Sequence, residues 1–113
     1  MNTSKLSRKY LESFKNRDIE ALSDFFSDNI SLRDWDISAT GKDAVLAANQ
    51  KIFDSFSSID LEITNLIPHE KQVSVEFNLH LSNDSEKIFI LVTDIIEFDS
   101  QNKIKSVRAY KGN

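Results

Sequence analysis

Lys87-Ile88-Phe89-Ile90-Leu91-Val92-Thr93-Asp94-Ile95-Ile96-Glu97-Phe98 is the most apolar stretch of this chain, and the fold follows from how it is read. Taken with period two, one face carries Ile88, Ile90, Val92, Asp94, Ile96 and Phe98, and the other Phe89, Leu91, Thr93, Ile95 and Glu97. A strand apolar on both faces belongs in the middle of a sheet, so this one is expected to be central. Before it, Ser82-Asn83-Asp84-Ser85 reads as a turn. Val73, Val75, Phe77, Leu79 and Leu81 then alternate with Ser74, Glu76, Asn78 and His80, the pattern of a strand with one wetter face. A further strand, residues 59–67, ends at Pro68, and His69-Glu70-Lys71 turns the chain. On the other side, Asp99-Ser100-Gln101-Asn102 leads into a last strand, residues 104–110. Short polar turns between consecutive strands predict an antiparallel meander.

The N-terminal half reads differently. Leu6, Tyr10, Leu11 and Phe14 recur at helical spacing and predict an amphipathic helix over residues 4–16. Asp18 is a good N-cap for a second, shorter helix with Ile19, Leu22, Phe25 and Phe26 on one face, ended by Ser27-Asp28-Asn29. Residues 30–36 alternate as a strand, with Ile30, Leu32, Asp34 and Asp36 on one side. Thr40-Gly41-Lys42-Asp43 resembles a capping box opening a third helix, whose stripe is Val45, Ala48, Ile52 and Phe56. The whole predicts an α+β fold of three N-terminal helices packed on a curved antiparallel sheet and enclosing an apolar pocket.

With 113 residues, 40% of them hydrophobic and 28% charged, a single domain over residues 1–113 is expected. A net charge of −4 argues against nucleic acid and anionic membrane surfaces as partners. The absence of cysteine excludes disulfides, thiolate metal sites and cysteine nucleophiles. Met1 through Lys5 leads into the amphipathic helix without the apolar stretch of a signal peptide, and no apolar run is long enough to span a bilayer, so the expected location is cytoplasmic. His69 and His80 lie apart, in a turn and on a wet strand face, and read as solvent-facing rather than as metal ligands. Arg33 and Arg108 read as partners in surface ion pairs. No cofactor or metal is expected.

Three residues break the apolar pattern. Asp94 interrupts an otherwise apolar strand face, where a carboxyl is costly unless it is paired or protonated. Asp34 follows Ile30 and Leu32 onto one face, and Tyr10 sits on the apolar stripe of the first helix, where its hydroxyl needs a partner. Singly, each has an ordinary reading: a core tyrosine, a strand-end turn cap, a structural acid. Together they are three polar groups from three elements facing one core, and such groups are candidates for a functional site.

At these residues the chain resembles the nuclear transport factor 2-like superfamily and, within it, the ketosteroid isomerases and their SnoaL-like relatives. The resemblance runs through Arg8-Lys9-Tyr10-Leu11, Asp18-Ile19-Glu20-Ala21-Leu22, Phe25-Phe26-Ser27-Asp28, Asp34, Gly41-Lys42, residues 93–98, and Ile104 through Arg108-Ala109-Tyr110. It implies a cone-shaped fold. It also implies an oxyanion hole made of Tyr10 and a protonated Asp94, with Asp34 as general base. The implied activity is cofactor-free proton transfer on a small apolar carbonyl compound. Asp34-Trp35-Asp36 stands where the isomerases have aspartate-proline, and in a regular strand Trp35 would face away from Asp34. The alternative is a non-catalytic domain of the same fold that binds a small molecule or serves for dimerisation. A homodimer through the second apolar face of the Lys87–Phe98 strand is expected in either case.

Overall fold

The computed structural model describes residues 2–113, so Met1 lies outside the described residues. Its elements are α1 (Thr3–Lys15), α2 (Ile19–Phe25), β1 (Phe26–Arg33), β2 (Ser38–Thr40), α3 (Lys42–Ser55), β3 (Ser58–His69), β4 (Gln72–Ser82), β5 (Lys87–Phe98) and β6 (Ile104–Lys111). One six-stranded sheet runs in the order β2-β1-β6-β5-β4-β3. β3 to β6 form the antiparallel meander, and β5 lies inside the sheet between β6 and β4.

The sheet as a whole is mixed, because β1 pairs parallel with β6. Nothing local announces that pairing. One helix and four strands separate the partners along the chain, and the pair forms because Phe26, Ile30, Ile104 and Val107 must all be buried under the helices. Phe26 therefore opens β1 opposite Ile104 instead of extending α2, and Ser27-Asp28-Asn29 lie within the strand rather than in a turn.

The capping box at Thr40 does not form. Thr40 pairs with Ser31 in the short strand β2, which the sequence did not announce. Gly41 takes the N-cap position at φ +94°, its N–H donating to the Ile30 carbonyl at 2.7 Å. That dihedral is open to glycine at little cost, so the chain leaves the sheet and enters α3 in one residue. Asp18, by contrast, caps α2 as expected and accepts from the Ala21 N–H at 3.1 Å. Pro68 is accommodated inside β3, since β3 is the sheet edge and the missing N–H leaves no ladder bond unmade.

The helices lie over one face of the sheet. Leu11, Leu22, Val45 and Phe53 from the helices meet Val73, Val75, Ile96 and Phe98 from the sheet in one core. The Tyr10 and Phe26 rings pack 6.0 Å apart between centroids, and Phe14 and Phe53 5.6 Å apart, tying α1 to β1 and to α3.

Ser7 in α1 is fully buried with its hydroxyl unpartnered among the described residues. An unpaired buried hydroxyl costs roughly 1–3 kcal/mol, and alanine is the better helix former. Ser7→Ala is therefore expected to raise the midpoint of thermal unfolding by several degrees. A lowered midpoint in calorimetry would show that the hydroxyl has a partner.

Candidate active site

Between α1, α3 and the inner sheet face lies a cavity of about 380 Å³, within the usual range for a small-molecule pocket. Its walls are mostly apolar: Leu11 and Phe14 from α1, Phe77 and Leu79 from β4, Ile88, Ile90 and Val92 from β5. Tyr10, Asp34 and Asp94 all line it, so the structure brings the three sequence-predicted residues to one space.

Asp94 sits where strand alternation puts it, opposite Val75 on β4 and Ala109 on β6, with 5% of its surface exposed. Among the described residues nothing donates a hydrogen bond to its carboxyl group. Burial in apolar surroundings, and secondarily the negative charge of Asp34, push its pKa from the ordinary 3.8 to about 7. Tyr10, also 5% exposed, has its hydroxyl held firmly protonated by burial and then by the charge of Asp94. Tyr10 thus keeps its proton at neutral pH and Asp94 keeps its own up to about pH 7, and neither has a protein acceptor for it.

Asp34 departs from its expected strand setting. β1 ends at Arg33, and Asp34 starts a tight turn. Its Oδ1 accepts from the Asp36 and Ile37 N–H groups at 2.7 and 2.6 Å, and its own N–H donates to the Ile37 carbonyl at 2.9 Å. A short carboxylate that bonds to amides two and three residues on competes with the strand ladder and wins here. Its Oδ2 takes no hydrogen bond from the described residues. The turn also swings Trp35 round, so Trp35 and Asp34 line the same cavity instead of facing opposite ways. At the mouth Lys111 Nζ stands 5.9 Å from the Trp35 ring centre.

The sequence reading missed two polar residues of the cavity, Lys111 of β6 and Asn49 of α3. Asn49 of α3 is 4% exposed and lines it with Ile52 and Phe56. The predicted stripe of α3 was Val45, Ala48, Ile52 and Phe56, but the buried residues are Val45, Asn49 and Phe53. The spacing of four from Val45 to Asn49 to Phe53 carried the signal.

Arg108 binds Glu97 at 2.6 Å, and Arg33 the Tyr110 hydroxyl at 3.2 Å, both away from the cavity. His80 is exposed and packs against Phe89 with the rings tilted by 40°, and His69 is exposed at the end of β3 instead of in the turn expected for it.

Residues 7–107 match the family described as the SnoaL-like domain. The chain belongs to that family. No curated protein matches this SnoaL-like chain by sequence. Solved structures do match by fold. One is a Shewanella denitrificans protein provisionally described as a SnoaL-like polyketide cyclase, at TM-score 0.87 and 16% identity over 97% of this chain and 90% of that one. Another is an epoxide hydrolase of the LEH-like type from M. tuberculosis, at 0.86 and 14% over 97% and 82%. A third is a Kribbella flavida protein provisionally described as a ketosteroid isomerase, at 0.82 and 19% over 98% and 78%. At such identities the likeness shows the fold, whose members include isomerases, cyclases and hydrolases.

The Asp94 shift has a consequence for stability. A carboxyl whose folded pKa lies above its unfolded one binds more protons in the native state between the two values. Its contribution is fully present below the unfolded value and is lost as pH rises through the folded one. For Asp94 the window is about pH 4 to 7 and the loss on the order of 4 kcal/mol. Asp94→Asn is expected to become progressively more stable relative to wild type across that window. Parallel stability curves in urea denaturation would mean that Asp94 is ionised in the folded protein.

Proposed function

We propose that the protein is a cofactor-free acid–base enzyme of the ketosteroid isomerase type acting on a small apolar carbonyl compound. The carrying observation is that Tyr10 and Asp94, whose protons burial favours and which have no protein acceptors, share an apolar cavity with the carboxylate of Asp34. The carbonyl oxygen is held by the Tyr10 hydroxyl and the Asp94 carboxylic acid. Oδ2 of Asp34 takes a proton from the carbon beside the carbonyl, and the two donors hold the resulting enolate oxygen. Asp34 then returns the proton to another carbon of the conjugated system, so nothing is gained or lost. The amides that bind Oδ1 fix the carboxylate in place while leaving the other oxygen for the proton.

We also propose that two copies pair through the outer sheet face. Phe89 and Leu91 of β5 are 47% and 41% exposed there, and Ile67 of β3 and Tyr110 of β6 are exposed as well. The ladder puts Phe89 opposite His80, and Ile67 opposite Ser74 in a row that continues to Ile95. Apolar side chains gathered on one sheet face are typical of a surface that another protein covers.

For Asp34, asparagine keeps an Oδ1 that the Asp36 and Ile37 amides can reach, whereas alanine does not. Asp34→Asn should therefore lower turnover of a conjugated or β,γ-unsaturated ketone by roughly 10²-fold or more, the usual worth of a positioned base. Its melting temperature should stay close to wild type. Asp34→Ala should lose both activity and about 1 kcal/mol of stability. Absence of turnover in wild type across a panel of such ketones, with phenols still bound, would leave a binding domain instead of an enzyme. For the pairing, sedimentation equilibrium is expected to show a dimer at micromolar concentration that Leu91→Lys converts to monomer. A wild-type monomer would refute it.

A further inference from the structure

The polar group on the α3 wall has no structural purpose that the fold supplies. Asn49 stands in a row with Val45 and Phe53, where the helix otherwise buries apolar side chains. Asparagine is a mediocre helix former, and burying its amide is costly unless it is hydrogen-bonded. An amide has two N–H donors and an oxygen acceptor. The single bond it makes is from Nδ2 to the Val45 carbonyl at 2.9 Å, one turn back. That carbonyl lies where the helix ladder already offers it a backbone N–H, so the side-chain bond satisfies nothing that would otherwise go unpaired. The second N–H and Oδ1 find no partner among the described residues, and the side chain lines the cavity.

We propose that Asn49 is a second anchor in the cavity. The ligand is then an apolar carbonyl or phenolic molecule that bears a second oxygen function, a hydroxyl or a further carbonyl, positioned to reach α3. This rests on the reading of Tyr10 and Asp94 as the clamp for the first oxygen. The clamp sits on α1 and β5 and the anchor on α3, so the two fix a ligand's orientation as well as its presence. The lining supplied by Leu11, Leu79 and Ile90 offers no competing polar contact. An added hydroxyl turned toward that apolar lining would lose its hydration for nothing and weaken binding. Position on the ring system thus becomes the selected property.

The test compares binding of 2-naphthol with that of the dihydroxynaphthalenes that keep its hydroxyl, by titration calorimetry. In wild type at least one isomer is expected to bind about tenfold more tightly than the parent naphthol. In Asn49→Leu that advantage should vanish while the parent's affinity changes by no more than about twofold, since the anchor does not touch the first oxygen. Asn49→Ala, which removes the same groups without a branched side chain, carries the comparison if the leucine variant does not fold. No gain for any isomer in wild type overturns the anchor and leaves the clamp standing. A gain that survives both substitutions overturns it too, because the second oxygen is then held elsewhere. If 2-naphthol itself does not bind, or binds equally to Tyr10→Phe and Asp94→Leu, the clamp fails and the anchor falls with it.

Discussion

Keeping a carboxylic acid inside an apolar sheet face without giving it a protein partner is the constraint around which this molecule is arranged. An unpaired buried carboxyl is tolerable only in its neutral form, and then only if the surrounding backbone cannot relax to let water in. Both conditions come from the position of Asp94 on β5. The strand is laddered to β4 along its whole length and to β6 from Val92 onward, so Asp94 lies where the backbone is held on both sides. Val92 and Ile96 flank it on its own face, with Val75 and Ala109 across the ladders. The acid is therefore held in place by its neighbours' packing and not by bonds of its own, which leaves its proton for something in the cavity.

A small core that encloses a cavity forgoes part of its own packing. The structure offsets this at the rim of the space. Aromatic pairs join α1 to β1 through Tyr10 and Phe26, and α1 to α3 through Phe14 and Phe53. These contacts anchor α1 to the sheet and to α3 beside the cavity. Tyr10 takes part in both tasks, with its ring in the packing and its hydroxyl left for the cavity. The parallel β1–β6 pair closes the same core from the other side, since β6 carries Val107 under the helices and brings Ala109 and Lys111 to the cavity wall.

The turn at Asp34 shows how one side chain can serve local structure and a site together. Its two oxygens are unequal: one closes the turn through two amide donors and the other is free. The turn in turn brings Trp35 to the cavity mouth, where a regular strand would have sent it outward. Proteins that share this fold at below 20% identity are described as a cyclase, a hydrolase and an isomerase, so the scaffold tolerates many linings. What distinguishes this one are Trp35, Asp36, Lys111 and Asn49, beside the three residues that the isomerase resemblance picked out.

The sequence by itself determined the three helices and the five longer strands, the central place of the Lys87–Phe98 strand, and the sheet face on which Asp94 stands. Those properties depend on period and on turn chemistry, which act between near neighbours. The α+β class and the meander from β3 to β6 followed from them. The parallel pairing of β1 with β6 depends on burial between segments about eighty residues apart, which no local pattern records. The same reason explains why Phe26 belongs to a strand although its neighbours read as a helix. Asn49 was hidden because the apolar face of α3 could be drawn through either Ala48 or Asn49, and only the packing against β1 chose between them. Asp34 was legible as a candidate but not in its posture. Whether a short carboxylate bonds to its own turn or extends a strand depends on whether the neighbouring strand offers that residue a ladder partner. Here pairing with both β2 and β6 stops at Arg33, so the carboxylate closed the turn.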